Sequence, residues 1–123
     1  MATDSKVREI GEEDWRVEVL ESPVPVLVDF YAHWCGPCRM MAPTLEKLSS
    51  RYGERIKVLK INTDEHQKLA MDYDIRALPT CLVFWAGEIA VAMTGLRNER
   101  QLSEALESVL DKAALWDGKQ GAD

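Results

Sequence analysis

The sequence predicts an α/β domain in which one mixed β-sheet of four to five strands carries helices on both faces. Three observations lead there. Residues 24–31 form an almost uninterrupted apolar run rich in β-branched side chains, the pattern of a strand buried on both faces. A long helical stretch and a second apolar strand follow it, giving a βαβ unit whose crossover must be right-handed. Farther on, two strand-like segments flank Ala86-Gly87, a hairpin that adds antiparallel strands to the same sheet.

Taken in order, residues 12–20 read as a short helix with Trp15, Val17, Val19 and Leu20 partly on one face, ended by Pro23 and Pro25. After the first strand, residues 35–52 read as a helix with Met41, Leu45 and Leu48 inward. Pro43 inside it removes a backbone donor and should kink it. Residues 56–61 make the second buried strand, and 65–73 a shorter helix. Residues 80–85 and 88–93 make the hairpin. Residues 98–115 close the chain as an amphipathic helix, with Asn98 as its cap and Leu102, Leu106, Val109 and Leu110 at helical spacing. Residues 1–115 are therefore one domain, and 116–123 a polar tail expected to fray.

Composition narrows the class of partner. The net charge of −6 argues against general binding to nucleic acid or an anionic membrane surface, both of which need clustered Lys and Arg. No apolar run is long enough to span a bilayer, and the start lacks the basic-then-apolar layout of a secretory signal, so the expected location is cytoplasmic. Three cysteines in 123 residues do not form a disulfide framework, and a chain of this size does not need one.

Two of those cysteines stand as Trp34-Cys35-Gly36-Pro37-Cys38, where the first strand gives way to the long helix. Free N–H groups and the positive end of the helix dipole favour an anion there, so a thiol at that place should ionise more readily than usual. The spacing puts Cys38 one turn after Cys35 and within bridging reach. Pro37 fits the first turn, where its missing N–H has no partner to lose. An exposed Cys35 would attack a substrate disulfide, and a more buried Cys38 would resolve the mixed disulfide. The competing readings are a zinc site or structural thiols. Zinc usually takes four ligands, and the chain has only three Cys and two His, with no second C-x-x-C.

The segment from Asp29 to Pro43, with Lys60-Ile-Asn-Thr-Asp64 and Ile75-Arg-Ala-Leu-Pro-Thr80, resembles the thioredoxin family, and the likeness runs from about Trp15 to Leu110. Gly-Pro between the cysteines resembles the reducing members rather than the Gly-His of protein disulfide isomerases. The resemblance implies the thioredoxin fold and reduction of protein disulfides by a Cys35/Cys38 dithiol. It implies no cofactor beyond that redox-active disulfide, and a monomer recharged by a thioredoxin reductase linked to NADPH or ferredoxin. A second reading keeps the same surface as a binding module or chaperone-like subunit with incidental redox activity. A third, an oxidase or isomerase, is disfavoured by Gly-Pro and the absent signal.

Asp29 and Lys60 each interrupt an apolar strand. Either they point outward at an edge, or they form a buried pair behind the cysteines, which is preferred because both strands read as central. The resemblance makes Asp29 the general base for Cys38 and Lys60 its modulator; burial should raise the pKa of Asp29 and Lys60 should lower it. It also makes Pro79 a cis-proline holding the backbone of Leu78 free beside Cys35, where a substrate peptide could add as a strand. Trp34, Gly36, Pro37, Leu78 and Gly95 then line the docking surface. Gly95 is also readable as a plain loop glycine. Cys81 reads as a small buried hydrophobe, and His33 as solvent-facing. Thr63 and Thr94 stand where many family members are apolar. Trp85 is either a contact residue or packing beneath Trp116.

Overall fold

The computed structural model describes residues 6–116. Five strands, β1 (Arg8–Glu9), β2 (Val26–Tyr31), β3 (Lys57–Asn62), β4 (Thr80–Trp85) and β5 (Glu88–Thr94), form one sheet in the order β1-β3-β2-β4-β5. The first three run parallel, whereas β4 and β5 run antiparallel to their neighbours. Helices α1 (Gly36–Tyr52), α2 (Gln67–Asp72) and α3 (Glu99–Trp116) complete the chain. The expected mixed sheet flanked by helices is the observed one.

Strand β2 sits at the centre, and every residue of it is buried. Alternation splits its side chains between two cores. Leu27 faces Met41, Leu45 and Leu48 of α1 and Leu102, Leu106 and Val109 of α3. Val26, Val28 and Phe30 face the other way, onto Trp15, Leu59, Ile61, Leu69 and Phe84. Asp29 follows Leu27 by two residues, so the strand's period delivers a carboxyl to the α1 side, beneath the start of that helix.

The hairpin turns on Ala86 and Gly87, both at positive φ (55° and 81°), the geometry that matches the twist of the flanking strands. Asn98 caps α3 reciprocally: its Oδ1 accepts from the Gln101 N–H at 2.8 Å, and its own N–H donates to Gln101 Oε1 at 2.9 Å.

Several boundaries differ from the sequence expectation. The segment expected as one short helix is a single 3₁₀ turn, Glu12–Asp14, followed by a wide π-type turn, Arg16–Leu20; it buries Trp15 and Val19 but leaves Val17 exposed. Strand β1 was not anticipated. It is two exposed charged residues long, and only its hydrogen-bonded edge position makes it a strand. Trp116, expected in the tail, belongs to α3, where its ring meets Trp85 edge-on at 6.4 Å. The rest of the expected tail, 117–123, lies outside the described residues. Among the described residues no helix is long and apolar enough to cross a membrane.

Candidate active site

Cys35 is the N-cap of α1. Its backbone is extended (φ −86°, ψ 111°), and its Sγ accepts a hydrogen bond from the Cys38 N–H at 3.2 Å. A sulfur at this position collects the unpaired N–H groups and dipole of a 17-residue helix, which stabilises a thiolate. Cys35 and Cys38 are joined in a disulfide with a Cα–Cα distance of 5.3 Å. One expectation needs correcting. Both cysteines are 4% exposed, so Cys35 is no more open than Cys38 in the disulfide form. Packing explains it: Tyr31, Ala32 and Leu78 close over the pair.

Asp29 lies behind the pair, 3% exposed, and its Oδ1 has no hydrogen-bond partner. Burial pushes the carboxyl up to about 7, with Lys60 pulling it back. The direction of both effects agrees with the sequence expectation; the buried pair does not. Lys60 is only half-buried, and no ion pair of the described residues joins it to Asp29. Its ammonium stands instead over the Tyr31 ring, 5.3 Å from the centroid. A cavity of about 170 Å³ separates these groups; Asp29, Cys38, Tyr31 and Lys60 all line it. It is large enough for water to connect the carboxyl with Cys38.

Around the disulfide, Trp34 is 68% exposed, and its Nε1 donates to Asp64 Oδ2 at 2.9 Å. The Leu78–Pro79 bond is cis, and Leu78 packs on the cysteine cluster. The Pro79 carbonyl accepts from the Gly95 N–H at 2.7 Å, which ties the two loops together. Gly95 has φ +94°, which a side chain rarely adopts, and a Cβ there would meet only the end of Arg97, so the same geometry serves the loop and leaves its outer side open. The structure thus brings Trp34, the Gly36-Pro37 turn, Leu78, Pro79 and Gly95 to one end of the sheet, at the cysteines.

The family model described as thioredoxin matches residues 6–108. The chain belongs to the thioredoxin family. Thioredoxin 1 of Nostoc sp. (strain PCC 7120) is 42% identical over 106 residues, covering 86% of this chain and 99% of the relative. The thioredoxin of Synechocystis sp. (strain PCC 6803) is 40% identical over 106 residues, with the same two shares. The chloroplastic M-type thioredoxin of Spinacia oleracea is 41% identical over 105 residues, 85% of this chain and 58% of that protein. As a thioredoxin-family member this chain is a thiol–disulfide oxidoreductase, and Cys35–Cys38 is its redox-active pair.

The departures from the family pattern acquire physical reasons. Thr63 turns its hydroxyl to the Tyr31 carbonyl at 3.2 Å, reinforcing the bond from its own N–H at 2.9 Å, so it secures the end of β3. Thr94 closes β5 opposite Thr80 and is exposed. Trp85 is half-buried against Trp116, the packing reading. Cys81 is 1% exposed, and burial drives its thiol strongly up, which fits the small buried hydrophobe expected there. His33 is exposed, with its ring edge-on to Tyr31. Sequence reasoning gave no role to Asp64, the partner of Trp34. Its signal was the Asn62-x-Asp64 spacing after a strand, an Asx turn in which Asn62 Oδ1 accepts from the Asp64 N–H at 2.9 Å.

Proposed function

We propose that the chain works as a reductant of protein disulfides. The carrying observation is Cys35 Sγ held at the N-terminus of α1, accepting from the Cys38 N–H, with Pro37 in the first turn. The Cys35 thiolate attacks one sulfur of a target disulfide; the S–S bond breaks, a Cys35–target bond forms, and the other target sulfur leaves as a thiolate. Cys38 then gives its proton to Asp29 through the cavity and attacks Cys35 Sγ. That closes the Cys35–Cys38 disulfide and releases the second target thiolate. Two electrons have passed to the target, and a thioredoxin reductase drawing on NADPH or ferredoxin returns the chain to the dithiol.

Lys60 adjusts the charge on Asp29. Trp34, Gly36, Pro37, Leu78 and Gly95 receive the target beside Cys35, and the Leu78 backbone next to Pro79 pairs with it as an added strand. The protein acts as a monomer in a reducing compartment, the cytoplasm. The deciding experiment is insulin reduction at neutral pH with a fixed supply of dithiol, comparing wild type with Cys35→Ser. Cys35→Ser should fall to the rate of the dithiol alone. Turnover that survives without Cys35 rejects the reductase reading and leaves a binding module.

A further inference from the structure

Strand register sets a row of side chains on the α1 face of the sheet. Glu9 of β1 is opposite Lys60 of β3, Lys60 is opposite Asp29 of β2, and Asp29 is opposite Cys81 of β4. Lys60 therefore stands between two carboxylates. Of the two, buried Asp29 is the one where contact with a cation would be worth more, since low dielectric strengthens the attraction. The ammonium is nevertheless over the Tyr31 ring, and no ion pair of the described residues joins it to either carboxylate. The Tyr31 hydroxyl donates to Glu9 Oε1 at 2.7 Å. That bond orients the ring, and donation to a carboxylate leaves the ring more electron-rich, which strengthens its attraction for a cation.

We propose that Glu9 and Tyr31 are positioning residues for Lys60: the Tyr31 ring, tied by its hydroxyl to Glu9, holds the ammonium on the β1 side of the cavity and keeps it out of contact with Asp29. The inference deepens the reading of Asp29 as the base for Cys38 and rests on it for its consequence, a carboxyl left able to take up a proton. The titratable and charged groups around Asp29 are Tyr31 on its own strand, Lys60 from β3, Cys81 from β4, and across the cavity Arg39 and Glu46 of α1 with His33 before them. Among them Lys60 is the cation that draws the carboxyl down. Where Lys60 rests therefore decides how far Asp29 stays raised.

The test is a carboxyl-carbon NMR titration of Asp29 in the oxidised full-length chain. Glu9 is exposed at the sheet edge, so Glu9→Gln, which keeps the shape and an acceptor for the Tyr31 hydroxyl, should fold as wild type. It should lower the Asp29 midpoint by about half a pH unit to one unit as Lys60 is released toward it. Tyr31→Phe, which keeps the ring but unties it from Glu9, should move the midpoint the same way. Both shifts should vanish when Lys60→Met is added, because a Glu9 acting directly on Asp29 by charge would shift it without Lys60 as well. A midpoint that stays within about 0.2 units of wild type, rises, or falls equally in the Lys60→Met background overturns the proposal. The titration needs no turnover, so a failed insulin assay would reject the reductase reading and leave this result standing on its own.

Discussion

A buried carboxyl with an unpartnered oxygen destabilises a fold once it ionises, and Asp29 is such a group. Its folded value of about 7 stands above the 3.8 of an unperturbed Asp. Between these values the folded chain keeps a proton that the unfolded chain has released. Stability is therefore highest at low pH with respect to this group and is lost as pH rises toward 7, by about 4 kcal/mol in all. Asp29→Asn removes the titration. The buried amide has its own desolvation cost, but that cost does not depend on pH. The stability of Asp29→Asn relative to wild type should accordingly rise by about 3 kcal/mol between pH 5 and pH 8, read by denaturant unfolding at each pH. A difference that does not change with pH would mean the carboxyl is not raised. In single-turnover kinetics the same variant should slow resolution of the mixed disulfide more than its formation, since the proton lost is that of Cys38. Unchanged rates for both steps would remove Asp29 from the proton path.

At the scale of elements, what the sequence made legible tracks what packing enforces. Strand β2 could be read because burial on both faces demands an apolar run, and α3 because one stripe of it is buried at helical spacing. The cap at Asn98 was legible because its side chain answers a local need, the free N–H groups of the first turn. Strand β1 had no such signal, since two exposed charged residues become a strand only through a neighbour far along the chain. The π-type turn at Arg16–Leu20 was also hidden, because four apolar residues near helical spacing look alike whether the turn is tight or wide. The cap offers a measurable consequence. Asn98→Ala removes one half of a reciprocal pair in an exposed place and should destabilise the protein by about 1 kcal/mol with an unchanged denaturant slope. Gln101→Ala should cost less, because Gln101 meets the Asn98 N–H outside the helix proper. Absent effects would show that the capping bonds do not hold α3 in solution, and equal costs that the Gln101 half of the pair counts as much as the Asn98 half.

Across the whole molecule, the site was legible where chemistry resides in residue type and chain spacing, as at Cys35, Cys38 and the carboxyl of Asp29 within an apolar strand. The cis bond at Pro79 came through the family resemblance, and what resides in three-dimensional placement was illegible. The half-buried Lys60 and the Glu9–Tyr31 bond depend on which strands lie side by side, and no local pattern reports that; at Asp64 the local spacing reports the turn but not the bond from Trp34. The same distinction governs how the redox state couples to stability. The disulfide closes a loop with a sequence separation of only 3, so it removes about 2 kcal/mol of denatured-state entropy, near the low end for a cross-link. The two cores, which share one sheet and contain neither Cys35 nor Cys38, supply the rest. Reduction of the full-length chain should therefore lower its melting temperature by about 5–10 °C while leaving one cooperative transition. Far-ultraviolet dichroism and tryptophan fluorescence should coincide through it, because Trp15 sits in one core and Trp85 packs on the other. A reduced chain that melts at or above the oxidised one would defeat the entropy argument. Separated transitions would mean that the two faces of the sheet do not unfold as one unit.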